Sequence, residues 1–568
     1  MSAPTIGERL VIAQHAARSS VAAAQDRLRT VPGLRWGLVR PRADTFLFVP
    51  SDMRPADPSL ADEIASGQMG IGGAMIDLGG RSPFAVIAPD RAWAKALHEF
   101  TWLGSLRASG APRSVEVARR LVADWCGRNR SRPGGRGIAA DPAVIARRVT
   151  SFVVNAGFLL EDAEPGFYQL FTRTLGAELR ALDRASRKAT AGYPRLACAM
   201  SLTLACLAAD GHERDLTQAE TRLLAELRQQ ILADGGHVSR NPETVLEALL
   251  DLLPIKQCYV ARRMPVPTAL AETINLMLGH IRTMTITPGA LARFNGVGAA
   301  RVEAVATVLS LSTTSGPEAI CEPGPSGYAR MERDGTIVVV DCGRAPPLVH
   351  SGFAHAGALS FEMSHAGEGV IVNGGAAPPT HEHLAADARA TASHSTLVLD
   401  ESSSARLVHS PQLERLTGRP ALAGPDVVAA TLLDVDGEAR LVAQHDGYLS
   451  RFGLVHERSL TLARDGSVLA GVDVLRALHG TLRLARDVPL ALHFHLPVEA
   501  GWRASGPDGV LIEPPSGPPW RFSATGGLCA VEAAIDFAQN QGPTPARQIV
   551  VRASTPGETT IAWRLERL

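Results

Sequence analysis

Four phrases in the second half of the chain concentrate side chains that bind metals, move protons or grip anions. They are His355-Ala-Gly-Ala-Leu-Ser360-Phe-Glu362, Arg389-Ala-Thr-Ala-Ser-His394-Ser-Thr396, His456-Glu457-Arg458 and His493-Phe-His495. Twelve of the 17 histidines lie after residue 349, so the grouping is not an even scatter. Imidazole titrates near neutrality and is a common metal ligand, which makes these phrases candidates for acid–base or metal chemistry. Further back, His237 and Arg240 follow a Gly-Gly pair, and Arg293 and Asn295 share the phrase Leu291-Ala-Arg-Phe-Asn. An arginine fork matches a carboxylate through two hydrogen bonds. Each candidate has a plainer alternative. His237 suits a loop histidine bonded to backbone, and Glu362 suits a partner for Arg389 or for a backbone amide. His456-Glu-Arg458 suits a buried hydrogen-bonded network.

Two kinds of structure must position these groups. From about residue 91 to 310, apolar residues recur at helical spacing. Asp141-Pro142 reads as an N-cap with proline at the first helical position. Thr217-x-x-Glu220 has capping-box spacing, Asp234-Gly-Gly stops a helix, and Asn241-Pro242 starts the next. Residues 311–327, rich in Ser, Thr, Pro and Gly, read as a linker. Beyond them Thr336–Asp341, Val370–Asn373 and Ser395–Asp400 are strand-like, and Asp-Gly turns recur at 334–335, 436–437 and 465–466. The expected fold class is α+β and multidomain. An N-terminal extension over 1–90 precedes an all-α array of helical hairpins over 91–310. The linker then leads to a C-terminal antiparallel β-sandwich over 328–568.

Length and charge narrow the function classes. A chain of 568 residues exceeds a single core. Its 57 basic side chains balance 57 acidic ones, so no overall field draws it to nucleic acid. Seven cysteines with no CxxC spacing argue against a disulfide framework or zinc ribbon and favour a reducing compartment. No segment has the apolar length of a membrane-spanning helix, and the N-terminus shows no secretory apolar core. The expected location is the cytoplasm. The sequence sets no oligomeric state.

Several phrases, taken in order, resemble the heparinase II/III family of polysaccharide lyases. They are Leu97-His-Glu-Phe-Thr-Trp102, Asp234-Gly-Gly-His237-Val-Ser-Arg240-Asn-Pro242, Leu291-Ala-Arg293-Phe-Asn295, Ser326-Gly-Tyr328, His355 through Glu362, His394-Ser-Thr396, His445-Asp-Gly-Tyr448, His456-Glu-Arg458 and His495-Leu-Pro497. The resemblance implies an (α/α) toroid joined to the β-sandwich. It implies β-elimination of a uronate-containing acidic polysaccharide, a carbon–oxygen lyase reaction. That reaction needs a base for the C5 proton, neutralisation of the uronate carboxylate, and an acid for the leaving oxygen. The positions implied for catalysis are His237, Tyr193 and Arg240, and those for substrate binding are Arg293, Asn295, His456 and Arg458. The family's zinc ligands fall on His355, Asn373 and His394, so zinc is the one cofactor implied. The sequence departs from the family at several points. Tyr193-Pro194 stands where active members carry Asn-His, Thr244 and Val245 stand where a tyrosine and histidine are usual, and Asn373 replaces an aspartate. These departures imply an alternative, a catalytically degenerate member that binds cell-envelope polysaccharide. The family also implies a periplasmic or envelope location, in conflict with the absent export signal.

Overall fold

A computed structural model describes residues 4–14, 17, 45–311, 319–478, 482–506 and 509–568. The chain folds into two compact units that interleave along the sequence. One comprises residues 9–230 and 247–274, and the other residues 1–8, 231–246 and 275–568.

The first unit is helical. Its long helices are Arg91–Glu99, Pro112–Asn129, Pro142–Val154, Pro165–Ser186, Tyr193–Ala208 and Glu213–Gln230. The Asp141 carboxylate accepts the Ala143 N–H at 2.9 Å, with proline at the first position, as the sequence predicts. The expected start at Thr217 is corrected: that helix begins one turn earlier, at Glu213, and Thr217 lies inside it. Core-facing Leu216, Leu223 and Leu227 carry the apolar period through the earlier turn. Phe100, Trp125, Phe152 and Phe171 form an aromatic centre with ring centroids 4.9–5.6 Å apart at successive contacts. Residues 45–90 of the N-terminal extension, including helix Ser59–Ser66 and the hairpin Gln68–Ile71/Ala74–Asp77, belong to this unit.

The second unit is built on three antiparallel sheets. The largest has eight strands in the order Val428–Val435, Glu438–His445, Leu454–Leu462, Val468–Ala477, Thr559–Arg567, Trp520–Thr525, Gly509–Glu513 and Gly501–Ala504. A four-stranded sheet runs Leu397–Leu399, Arg483–His495, Thr544–Gly557, Leu528–Asp536. A five-stranded sheet runs Ile320–Cys321, Tyr328–Arg333, Thr336–Asp341, Phe361–His365, Glu368–Ile371. Alternating residues from all three enter one core, where Phe361 stacks on Trp563 at 5.4 Å and Phe494 meets Trp563 edge-on at 4.9 Å. The strand Thr336–Asp341 has its predicted bounds. The strand expected over 370–373 ends at Ile371, which frees Asn373 for side-chain work. Residues 231–246 and 275–310, helical by pattern, cluster with the sheets. The glycine pair at 235–236 makes this possible. Gly235 takes φ +80°, and a Cβ there would sit 2.0 Å from the Leu276 carbonyl oxygen. Residues 312–318 of the expected linker lie outside the described residues.

Candidate functional site

The residues after the Gly-Gly stop build a buried polar node in the sheet unit. Asp234 accepts the Ser326 N–H at 2.8 Å and its hydroxyl at 2.6 Å, which pins the loop. Arg240, 7 % exposed and at φ +59°, donates to the carbonyls of Ser326 (2.6 Å), Arg344 (2.9 Å) and Gly343 (3.1 Å). It also ion-pairs with Asp341 and lies over the Tyr328 ring, 4.9 Å from its centroid. Gly343 is required by this approach, because a Cβ there would fall 2.3 Å from the guanidinium. Asn295 joins the node. Its Nδ2 donates to Tyr328 (2.7 Å) and Asp341 (3.2 Å), and its Oδ1 accepts the His355 N–H at 3.1 Å. Tyr328 donates its hydroxyl proton to the Arg240 carbonyl. Arg240 and Asn295, expected to face substrate, are therefore tied to internal partners.

His237 sits beside this node and is 2 % exposed. Its Nδ1 accepts the Ser239 N–H at 3.1 Å and bonds the Ser239 hydroxyl at 2.7 Å, matching the backbone-bonded alternative. Burial, with His350 nearby, pushes its pKa down to about 3. Such an imidazole is neutral at pH 7 but a weak base.

His355 and His394 meet in the core, with His355 Nδ1 and His394 Nε2 3.1 Å apart. His394 Nδ1 bonds the Ala390 carbonyl at 2.8 Å, so its proton sits there and Nε2 accepts from His355. Gly357 admits the ring, since a Cβ would lie 2.9 Å from His394 Cδ2. Burial drives His394 down to about 4 and His355 well below the ordinary histidine range. The spacing suits two ligands on one tetrahedral zinc, whose nitrogens sit ~3.3 Å apart. The third position does not suit it. Asn373 Oδ1 accepts the Ser395 N–H at 2.8 Å, while Nδ2 is buried with no hydrogen-bond partner among the described residues. An amide brings no negative charge, and no group of three His, Cys, Asp or Glu side chains among the described residues could hold a metal. This donor set does not fit zinc.

Arg293 bonds the Asp536 carboxylate at 2.8 Å. Glu362 faces this pair and accepts the Asn373 N–H at 2.8 Å; burial raises its pKa to about 7 against the pull of Arg293. Of its two expected partners, Arg389 or a backbone amide, it takes the backbone amide.

His456 and Arg458 are corrected from substrate contacts to core residues, each 0 % exposed. They share one strand face with Leu454, Leu460 and Leu462, while Glu457 and Ser459 take the other, so their side chains point into the sandwich. Asp473 ties them together, accepting from His456 Nε2 (2.7 Å), Arg458 Nε (2.7 Å) and Trp563 Nε1 (2.8 Å). His445 closes the chain, its Nε2 3.2 Å from His456 Nδ1. Arg458 also donates to the Leu359 and Ser395 carbonyls, both at 2.8 Å.

Tyr193 belongs to the helical unit, at the start of Tyr193–Ala208. Arg147 donates to its hydroxyl at 3.1 Å and pairs with Asp251 at 2.7 Å and Glu247 at 3.4 Å. Arg54 bridges the same two carboxylates at 2.8 and 3.0 Å. Burial raises the phenol's pKa well above its ordinary value, which weakens it as an acid. Asp341, Asp473 and Asp536, which neutralise the candidate arginines Arg240, Arg458 and Arg293, escaped the sequence reading, as did Glu247 and Asp251 around Arg147 and Tyr193. The one local signal was Asp341 closing the apolar run Ile-Val-Val-Val.

The family model described as "Heparinase II/III-like, C-terminal" matches residues 324–564. FtsZ-localized protein C of Caulobacter vibrioides (strain NA1000 / CB15N) is 31% identical over 551 residues, covering 94% of this chain and 92% of that protein. The crystal structure of heparinase III is similar with a TM-score of 0.67 at 12% identity, over 98% of this chain and 91% of that one. Heparan sulfate lyase HepC from Pedobacter heparinus gives 0.58 at 15% identity, over 97% and 87%. These structures show a shared fold, an α toroid with a β-sandwich.

Proposed function

We propose that this chain, which belongs to the heparinase II/III-like family, binds an acidic saccharide without cleaving it by β-elimination. One observation carries the reading: the groups expected to run the elimination are committed to internal partners. Arg240 neutralises Asp341 rather than a uronate carboxylate. His237 is a weak base and Tyr193 a weakened acid. Pro194 has no side-chain group for proton transfer. The saccharide-binding half rests on the family and on the fold shared with polysaccharide lyases. The relative at 31% identity is named for its localisation with FtsZ, and we carry that location to this chain. The proposed compartment is the cytoplasm, where the buried, unpaired thiols of Cys126, Cys198, Cys206, Cys258 and Cys342 persist. No zinc takes part. Among the described residues no helix is long and apolar enough to cross a membrane.

The test pairs two assays on purified full-length protein. Ultraviolet absorbance follows unsaturated uronate, and affinity electrophoresis follows binding. Both use heparin, heparan, chondroitin, hyaluronan, alginate and an extracted envelope polysaccharide. The expected result is retardation by at least one acidic glycan and no new absorbance from any. Absorbance that appears with wild type and vanishes in His237→Ala overturns the reading and establishes a lyase. No retardation by any glycan overturns the binding half.

A further inference from the structure

A pocket of about 450 Å³ opens in the sheet unit between the Ala385–Ala388 helix and the hairpin Arg406–Val408/Ala421–Ala423. None of the residues assigned to the family's site lines it. Its polar lining is Arg389, Arg406, His409 and Ser403, and its floor is alanine with Leu407 and Leu422. Among the described residues the lining itself holds no carboxylate, and Glu414 stands behind it, 3.4 Å from His409. The volume lies within the range of small-molecule sites, which combine apolar walls with a few placed polar groups.

The charge in this pocket is uneven. Arg389 is 4 % exposed, and its guanidinium donates to three carbonyls, those of Ala354 (2.8 Å), Pro420 (2.8 Å) and Ser351 (3.1 Å). Carbonyls satisfy its N–H groups but bring no negative charge, and the carboxylate that acts on it, Glu382, is shared with Arg419. Burial, then the neighbouring Arg419, lowers its pKa to about 10. Arg419 is itself paired with Glu382 at 2.5 Å. A buried cation of this kind gives the pocket a positive potential. Arg406, at the rim, ion-pairs with the carboxylate of Glu8. Glu8 has a second task, because its Oε2 accepts the Thr5 N–H at 2.7 Å in a capping box that starts the helical residues 6–14. The N-terminus therefore brings a carboxylate to this cationic pocket.

We propose that this pocket binds the carboxylate-bearing sugar of an acidic saccharide, with Glu8 as an internal competitor for Arg406. The proposal rests on the saccharide-binding reading above and gives it a location. The alanine and leucine floor faces the C–H side of a sugar ring, Ser403 offers a hydroxyl, and Arg406 takes the carboxylate, with the buried charge of Arg389 adding long-range attraction. An incoming carboxylate displaces Glu8, and the N-terminal helix is released from Arg406 as the ligand enters.

The test is calorimetric titration of the full-length protein with a hyaluronan tetrasaccharide and with the same tetrasaccharide reduced at its carboxyl groups. Wild type binds the acidic form and not the reduced one. Glu8→Gln keeps the capping box, since glutamine serves at that position, while removing the competing charge. It tightens binding about fivefold, the scale of one partly exposed ion pair. Arg406→Gln weakens binding by about tenfold or more. Thermal melts confirm that both variants are folded. Folded variants that bind the tetrasaccharide as wild type does overturn the pocket proposal and leave the saccharide-binding reading standing. Equal binding of the reduced form also overturns the pocket, because recognition then ignores the carboxylate. No binding by any form of the protein, here and to the polysaccharides above, overturns both.

Discussion

Replacing Arg240 separates a structural arginine from a substrate-binding one. In Arg240→Met the side chain keeps most of its length over Tyr328 but loses its charge and donors. Asp341, 2 % exposed, is left with the Gly343 N–H (3.1 Å) and Asn295 Nδ2 (3.2 Å) but no counter-ion. Removing one partner of a buried ion pair costs about 3–5 kcal/mol. Three carbonyls also lose their donor, which places the expected loss toward the upper end of that range. At about 2 °C per kcal/mol for a large domain, the sheet unit should melt ~6–10 °C lower. Adding Asp341→Asn removes the stranded charge, so the double variant should recover part of the loss. The recovery appears as a coupling of about 1–3 kcal/mol in a double-mutant cycle. The assay is thermal melting followed by tryptophan fluorescence, because Trp520 and Trp563 report on the sandwich core. An Arg240→Met protein that melts within ~2 °C of wild type yet no longer binds glycan would refute the reasoning and place Arg240 on the ligand.

Four further outcomes are expected. Gly343→Ala forces its new methyl into the Arg240 guanidinium, so it should lower the melting temperature, and combining it with Arg240→Met should add little. Asn373→Asp supplies the anionic third ligand beside His355 and His394. Zinc should raise the melting temperature of that variant and leave wild type unmoved, and an equal rise in wild type contradicts the fit argued above. Acid should destabilise the fold through His237 and His394. Their folded pKa values, about 3 and about 4, lie below the ordinary value of 6.5. The unfolded chain therefore binds more protons, and stability falls as pH drops below about 6.5, by about 3 kcal/mol for His394 once pH is below 4. Glu362 works in the opposite sense. Its folded pKa of about 7 exceeds the ordinary 4.5, so it favours the fold at low pH and loses that contribution as pH rises through about 4.5–7. Glu362→Gln should remove that slope, as seen by comparing melts at about pH 5 and about pH 8.

The sequence by itself determined the fold class, the strand Thr336–Asp341 and the Asp141-Pro142 helix start. Each rests on local physics: residue periodicity, a fixed φ at proline, an oxygen positioned to cap an N–H. The same local reading misplaced the helix start at Thr217, because a capping-box spacing also occurs within a continuous helix. It picked out His237, Arg240, Asn295, His355, His394, His456 and Arg458 as candidate catalytic, substrate-binding or metal-binding groups. Which partner each one takes was decided by tertiary structure. Asp341 lies a hundred residues from Arg240, and Asp473 reaches both Arg458 and His456 only because strands Leu454–Leu462 and Val468–Ala477 pair in register. Burial was likewise invisible locally. The alternation on Leu454–Leu462 shows that His456 and Arg458 share a face, but only the packing of the sheets shows that this face is the dry one. A buried charge must be neutralised where it stands, so long-range contacts turned candidate substrate residues into the framework of the fold. They also brought Glu8 to Arg406 across 398 residues of the chain.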